Sequence, residues 1–127
     1  MAPLLFYLEE KPMEHKTLDF NSLQRPCIRL TMADENRTEI LVTTPTEALV
    51  EKLEAVGPEL QAACKTGNRE AINTIYELAA KLISCNRSGL AVSAEDLRDK
   101  YNLDLESMIV FYKVYMDFIN EIYNAKN

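Results

Sequence analysis

The sequence predicts an α+β fold that is mainly helical, with an N-terminal β-hairpin packed on a bundle of about four to five helices and a long C-terminal helix. Three observations predict it. Apolar and polar residues alternate on both sides of a short polar turn in the first third of the chain. Capped helical periods then fill the remainder, and the last of these is apolar around more than one face. A chain of 127 residues, 47% of them apolar, has the size of one domain and buries roughly 65% of its unfolded surface without staples. Residues 13–127 are therefore expected to form a single domain, with the hairpin at about 26–43 and the helices at 44–126.

Met13 to Arg25 follow neither period and read as an extended lead-in. Ile28, Leu30 and Met32 then alternate with Cys27, Arg29 and Thr31, as in a half-buried strand. Ala33 to Arg37 is a polar turn. Ile40 and Val42 repeat the alternation against Glu39, Leu41 and Thr43, and Pro26 sits at the hairpin mouth, where a missing N–H is tolerated.

Thr44-Pro45-Thr46-Glu47 is the sharpest local signal, with Thr44 as the N-cap, proline at the first helical position and a carboxylate at the third. Leu49, Val50, Leu53 and Val56 form one stripe that Gly57-Pro58 ends or kinks, and Glu59 to Cys64 make a second short piece closed by Gly67. Asn68 caps a third helix, whose period runs from Ala71 to Ile83 and stops at Asn86-Arg87-Ser88-Gly89. Ser93 opens a short helix carrying Leu97 and Tyr101, with Asn102 as a left-handed stop. Asp104 caps the longest helix, which runs to about Ala125 and spans roughly 33 Å. Its wide apolar arc makes it the central or longest member of the bundle.

The composition bounds the chemistry. Twenty acidic against fourteen basic residues give a net charge of −6, which repels phosphate backbones, so no nucleic-acid partner is expected. Cys27, Cys64 and Cys85 are widely spaced, with no Cys-x-x-Cys pair and a single histidine, His15. They read as reduced thiols, with no metal and no other cofactor expected. No stretch matches the ~20 apolar residues of a membrane span, so no membrane partner is expected. Glu95, Asp96 and Asp99 cluster at a helix start, where carboxylates complement the helix dipole. Nucleophilic catalysis needs a base positioned on the nucleophile, yet the only histidine, His15, precedes the first strand, and no glycine-rich loop is present. The chain is not expected to be an enzyme.

Contact surfaces remain. Tyr112, Tyr115 and Tyr123, with Phe111 and Phe118, give the last helix an aromatic band that either packs inward or forms a recognition face, for a partner or for a second copy of the chain. The hairpin, through Ile28, Leu30, Ile40 and Val42, offers an edge for a partner or for a second copy of the chain. Val92 to Asp104 followed by a helix also has the outline of a helix-turn-helix. The would-be recognition helix opens Asp104-Leu105-Glu106, however, with no arginine or lysine for a guanine edge.

With Leu18-Asp19-Phe20-Asn21 before the hairpin, Thr44-Pro45-Thr46-Glu47-Ala48-Leu49-Val50-Glu51, Leu82-Ile83-Ser84-Cys85-Asn86-Arg87 and Ser93-Ala94-Glu95-Asp96-Leu97-Arg98, the chain from Met13 onward resembles the small tail assembly chaperones of long-tailed phages and Gram-positive prophages. The resemblance implies a non-enzymatic protein of the host bacterial cytoplasm, absent from the finished virion. It would bind the tape measure protein, and other tail proteins, and keep the tape measure protein soluble while the tail tube assembles. The resemblance also implies a longer frameshifted form, and Ala125-Lys126-Asn127 can be encoded by a slippery A-AAA-AAC run. Leu8-Glu9-Glu10 can likewise be encoded by a ribosome-binding sequence ahead of Met13, so residues 1–12 are expected to be translated leader or vector-derived. Two alternatives stand beside the chaperone: a small helix-turn-helix-like transcriptional regulator, and a structural tail or head-completion protein.

Overall fold

The computed structural model describes residues 18–19 and 26–125. The expected leader, most of the extended lead-in with His15, and the last two residues lie outside them. Strands β1 (Ile28–Thr31) and β2 (Glu39–Val42) pair antiparallel in the register Ile28↔Val42 to Thr31↔Glu39. Asp34 organises the turn. Its carboxylate accepts from the Thr38 hydroxyl and from the Thr38 amide (2.9 Å), and these bonds hold its pKa below the ordinary carboxylate value. Arg37 takes a left-handed backbone, φ 51°, and Met32 N–H donates to the Thr38 carbonyl at 2.8 Å.

Beyond β2 the chain supplies a third, strand-like rung. Thr43 N–H donates to the Cys85 carbonyl at 2.8 Å, and Arg87 N–H to the Leu41 carbonyl at 3.0 Å, with Val42 facing Asn86. The Asn86 side chain fixes this segment, donating to the Ile83 and Leu90 carbonyls (2.8 Å each) and accepting from Leu90 N–H at 2.9 Å. One edge of the hairpin is thus covered from within.

The same pairing moves the first helix start. Helix α1 spans Glu47–Glu54, and its N-cap is Thr46, whose hydroxyl accepts from Leu49 N–H at 3.3 Å, rather than Thr44. Thr43 is still bonded to Cys85, and Pro45 keeps Thr44 extended. The chain is first free to turn at Thr46. Helix α2 (Gly57–Thr66) begins at the glycine and carries Pro58 in its first turn, where no N–H is needed, so it starts two residues before the expected Glu59. Gly67, φ 63°, ends it with its N–H on the Ala63 carbonyl.

Helix α3 (Arg69–Ile83) is capped by Asn68, which accepts from Ala71 N–H at 2.9 Å. The short helix after Ser93 is wound wider than expected. Asp96–Lys100 is a π-helical turn in which Tyr101 N–H reaches back five residues to the Asp96 carbonyl at 2.8 Å. Ser93 and Asp96 cap each other in a reciprocal box, and Asn102 is the left-handed stop, φ 58°. Helix α4 (Leu105–Ala125) is capped by Asp104, which accepts from the Ser107 amide at 2.9 Å and from its hydroxyl at 2.8 Å.

The buried apolar residues form one core cluster. Its centre is α3, which packs against α1, α2, α4 and β2. Ala71, Ala79 and Ala80 let those neighbours approach closely, while Ile75, Leu82 and Ile83 fill the space between them. Helix α4 is the longest element but not the centre: it buries one stripe, Met108, Phe111, Tyr112, Tyr115 and Ile119. No helix of the described residues is long and apolar enough to cross a membrane.

Candidate protein-binding surface

The seven residues expected to meet a partner divide sharply. Val42 and Tyr115 are fully buried, and Ile40 and Tyr112 nearly so. In this conformation their side chains serve the core and offer no outward surface. Ile28 and Leu30 are half-buried, and Tyr123 alone of the seven is well exposed, at 47%. The aromatic band therefore packs mainly inward. Phe111 meets Tyr112 edge-on, with ring centroids 5.4 Å apart, and lies 5.3 Å from Tyr115, which in turn is 5.9 Å from Phe118.

The two buried hydroxyls differ. Tyr112 donates to the Ile75 carbonyl at 2.6 Å, tying α4 to the middle of α3. Among the described residues the Tyr115 hydroxyl has no hydrogen-bond partner. Burial pushes both phenols well above tyrosine's ordinary pKa. Tyr76 on α3 donates to the Leu103 carbonyl at 2.9 Å. The Arg98 guanidinium lies 4.2 Å over its ring and reaches the Asn73 carboxamide oxygen at 2.7 Å. These contacts pin the segment leading into α4, and with it the start of that helix.

What α4 leaves outside is a line of apolar side chains that the sequence analysis passed over. Val110 is 55% exposed and Val114, one turn on, is 47% exposed, with Met116 on another flank. They share a surface with Glu106, Lys113, Asp117 and Glu121, all exposed. The signal for them was an apolar pair spaced i, i+4 on an otherwise charged face.

Val110 lies on the wall of a groove of about 470 Å³ between β1 and the first turns of α4. β2 packs on α3, whereas the inward residues of β1, Ile28 and Leu30, are only half-buried. Leu30 and Met32 form one wall, Met108, Val110 and Phe111 the other, and Ile83 and Leu103 also line it. Among the described residues its ionisable lining is acidic, Asp104 and Glu106, with no lysine or arginine. Bonds from the Ser107 amide and hydroxyl lower the Asp104 pKa, so that carboxylate is charged at neutral pH. An apolar groove with a carboxylate rim suits a segment that is apolar along its length and positively charged at an end.

The described residues bring no three His, Cys, Asp or Glu side chains together in a metal-ligand arrangement. Glu95, Asp96 and Asp99 sit around the π-helical turn, where Asp96 is committed to the Ser93 box. No family model matches the sequence, and no curated protein and no solved structure matches it either.

Proposed function

We propose that the chain is a phage tail assembly chaperone, a non-enzymatic protein that binds the tape measure protein in the host cytoplasm and keeps it soluble while the tail tube assembles. The observation that carries this reading is the open apolar groove between β1 and α4, continued outward by Val110 and Val114. A holding protein needs accessible apolar contact, and it needs net charge so that the complex stays dissolved. The groove and its valines supply the first, and a charge of −6 supplies the second. The sequence resemblance to tail assembly chaperones supplies the identity of the client.

Two measurements test it. The gene should read A-AAA-AAC across the codons for Ala125, Lys126 and Asn127, followed by an overlapping frame, with a long reading frame for the tape measure protein downstream. Other codons with no overlapping frame count against a frameshifting chaperone. Co-expression with that downstream product should keep it in the soluble fraction. A doubly substituted Val110→Asp, Val114→Asp chain should lose at least about tenfold of that effect while keeping its own helical signal. A client equally soluble with either chain, or sequence-specific DNA binding by the wild type, contradicts the proposal.

A further inference from the structure

We propose that the groove takes its occupant as an added β-strand: an extended partner segment, apolar at alternate positions and carrying a lysine or arginine at one end, paired to the outer edge of β1. The proposal rests on the binding role above and adds the form and charge of what is bound.

The register fixes which groups point outward. Met32 N–H bonds to Thr38 across the hairpin, so Leu30 and Ile28, at the same phase, also face β2. Arg29 and Thr31 face away. Consistently, Leu41, opposite Arg29, turns its carbonyl out to Arg87 on the far side. The β2 edge is closed by residues 85–87, whereas among the described residues no backbone hydrogen bond reaches the outward groups of Arg29 and Thr31. Ala33 N–H, next in line, is taken by the Tyr101 carbonyl at 3.2 Å and ends the edge. The open run is short. It suits a segment of about four residues and discourages indefinite sheet growth.

A strand added there lies about 4.8 Å beyond β1, on the side where the groove opens against α4. Its inward side chains continue the layer of Leu30 and come down on Val110 and Phe111. Backbone pairing gives the affinity and the alternate side chains give the selection. Charge chooses the occupant. The rim is Asp104 and Glu106, and the nearest cation on β1, Arg29, is already paired with Glu39 at 3.8 Å. A second copy of this chain would bring another acidic rim and a net charge of −6 to the same place, which disfavours it. A basic, apolar segment gains on both counts.

The test uses the full chain, isotope-labelled for amide spectroscopy, and an acetylated, amidated Lys-Val-Thr-Val-Thr-Val-Lys peptide. Two control peptides replace both lysines with glutamate, or carry N-methyl groups on the alternate residues that would face β1. The expected result is saturable binding that shifts the Arg29 and Thr31 amides and slows their hydrogen exchange. Val110→Asp should weaken binding about tenfold, and Glu106→Lys about threefold. The glutamate peptide and the N-methylated peptide should each bind at least about tenfold more weakly. Both substituted residues are exposed, and either variant alone gives the readout. Equal binding of the N-methylated peptide overturns strand pairing, and equal binding of the glutamate peptide overturns the charge preference. Shifts of Arg29 and Thr31 that depend on protein concentration without peptide assign the edge to a second copy and overturn the proposal. No binding of any peptide, with the tape measure protein still held soluble, overturns the strand mode and leaves the chaperone role standing.

Discussion

Tyr112 and Tyr115 stand three residues apart on α4, both buried, yet among the described residues only the Tyr112 hydroxyl has a hydrogen-bond partner. Removing the two hydroxyls should therefore have opposite effects. Tyr112→Phe deletes the bond to Ile75 and should cost about 1–2 kcal/mol. Tyr115→Phe deletes a buried hydroxyl that is desolvated without compensation, and should raise stability by about 1 kcal/mol. Urea melts of the two variants check the pair: a destabilised Tyr115→Phe contradicts the unpartnered hydroxyl. Burial raises both phenol pKa values in the folded state, so the unfolded chain ionises first. The stabilising contribution is whole below pH ~10 and is lost as pH rises through the folded values, so stability falls with increasing alkalinity. Phenolate absorbance from these two residues should appear together with the loss of helical circular dichroism; ionisation ahead of unfolding contradicts their burial. On the acid side Asp34 and Asp104 have depressed pKa values. Their contribution is present above the ordinary carboxylate range and lost as pH falls through the folded values.

Elements show where local chemistry decides and where distant pairing does. Thr46→Ala should cost about 1 kcal/mol as the loss of a working N-cap, while Thr44→Ala should cost clearly less. Thermal melts showing the reverse order would restore Thr44 as the cap. Asn68, Asn102 and Asp104 were readable from sequence because each acts on its own neighbours: two cap the next helix and one adopts a left-handed turn. The start of α1 was not readable, because it is set by Thr43 bonding to Cys85, 42 residues away. The π-helical turn at Asp96–Lys100 was hidden for a related reason. Its short apolar pattern fits either winding, and the five-residue reach of Tyr101 back to Asp96 carries no distinct signature in the sequence.

At the scale of the whole molecule, the hairpin and the succession of helices were legible from period and punctuation, but the assignment of faces was not. A helix as apolar as α4 does not say which side its neighbours cover. Tyr112 and Tyr115 turn toward α3, while Val110 and Val114, embedded among charged residues, are left outside. The centre fell to α3 because its alanines let four other elements reach it. Between the half-buried face of β1 and the first turns of α4 lies the groove that the functional proposal uses. The most direct test of that proposal is a photo-crosslinking residue placed singly at Val110, at Val114, or at Glu77 in the separate crevice between α1 and α3, in cells co-expressing the tape measure protein. Adducts with the tape measure protein from the first two positions and not from Glu77 are the predicted result. Adducts from Glu77 alone, or equally from all three, would contradict a client held at the β1–α4 groove.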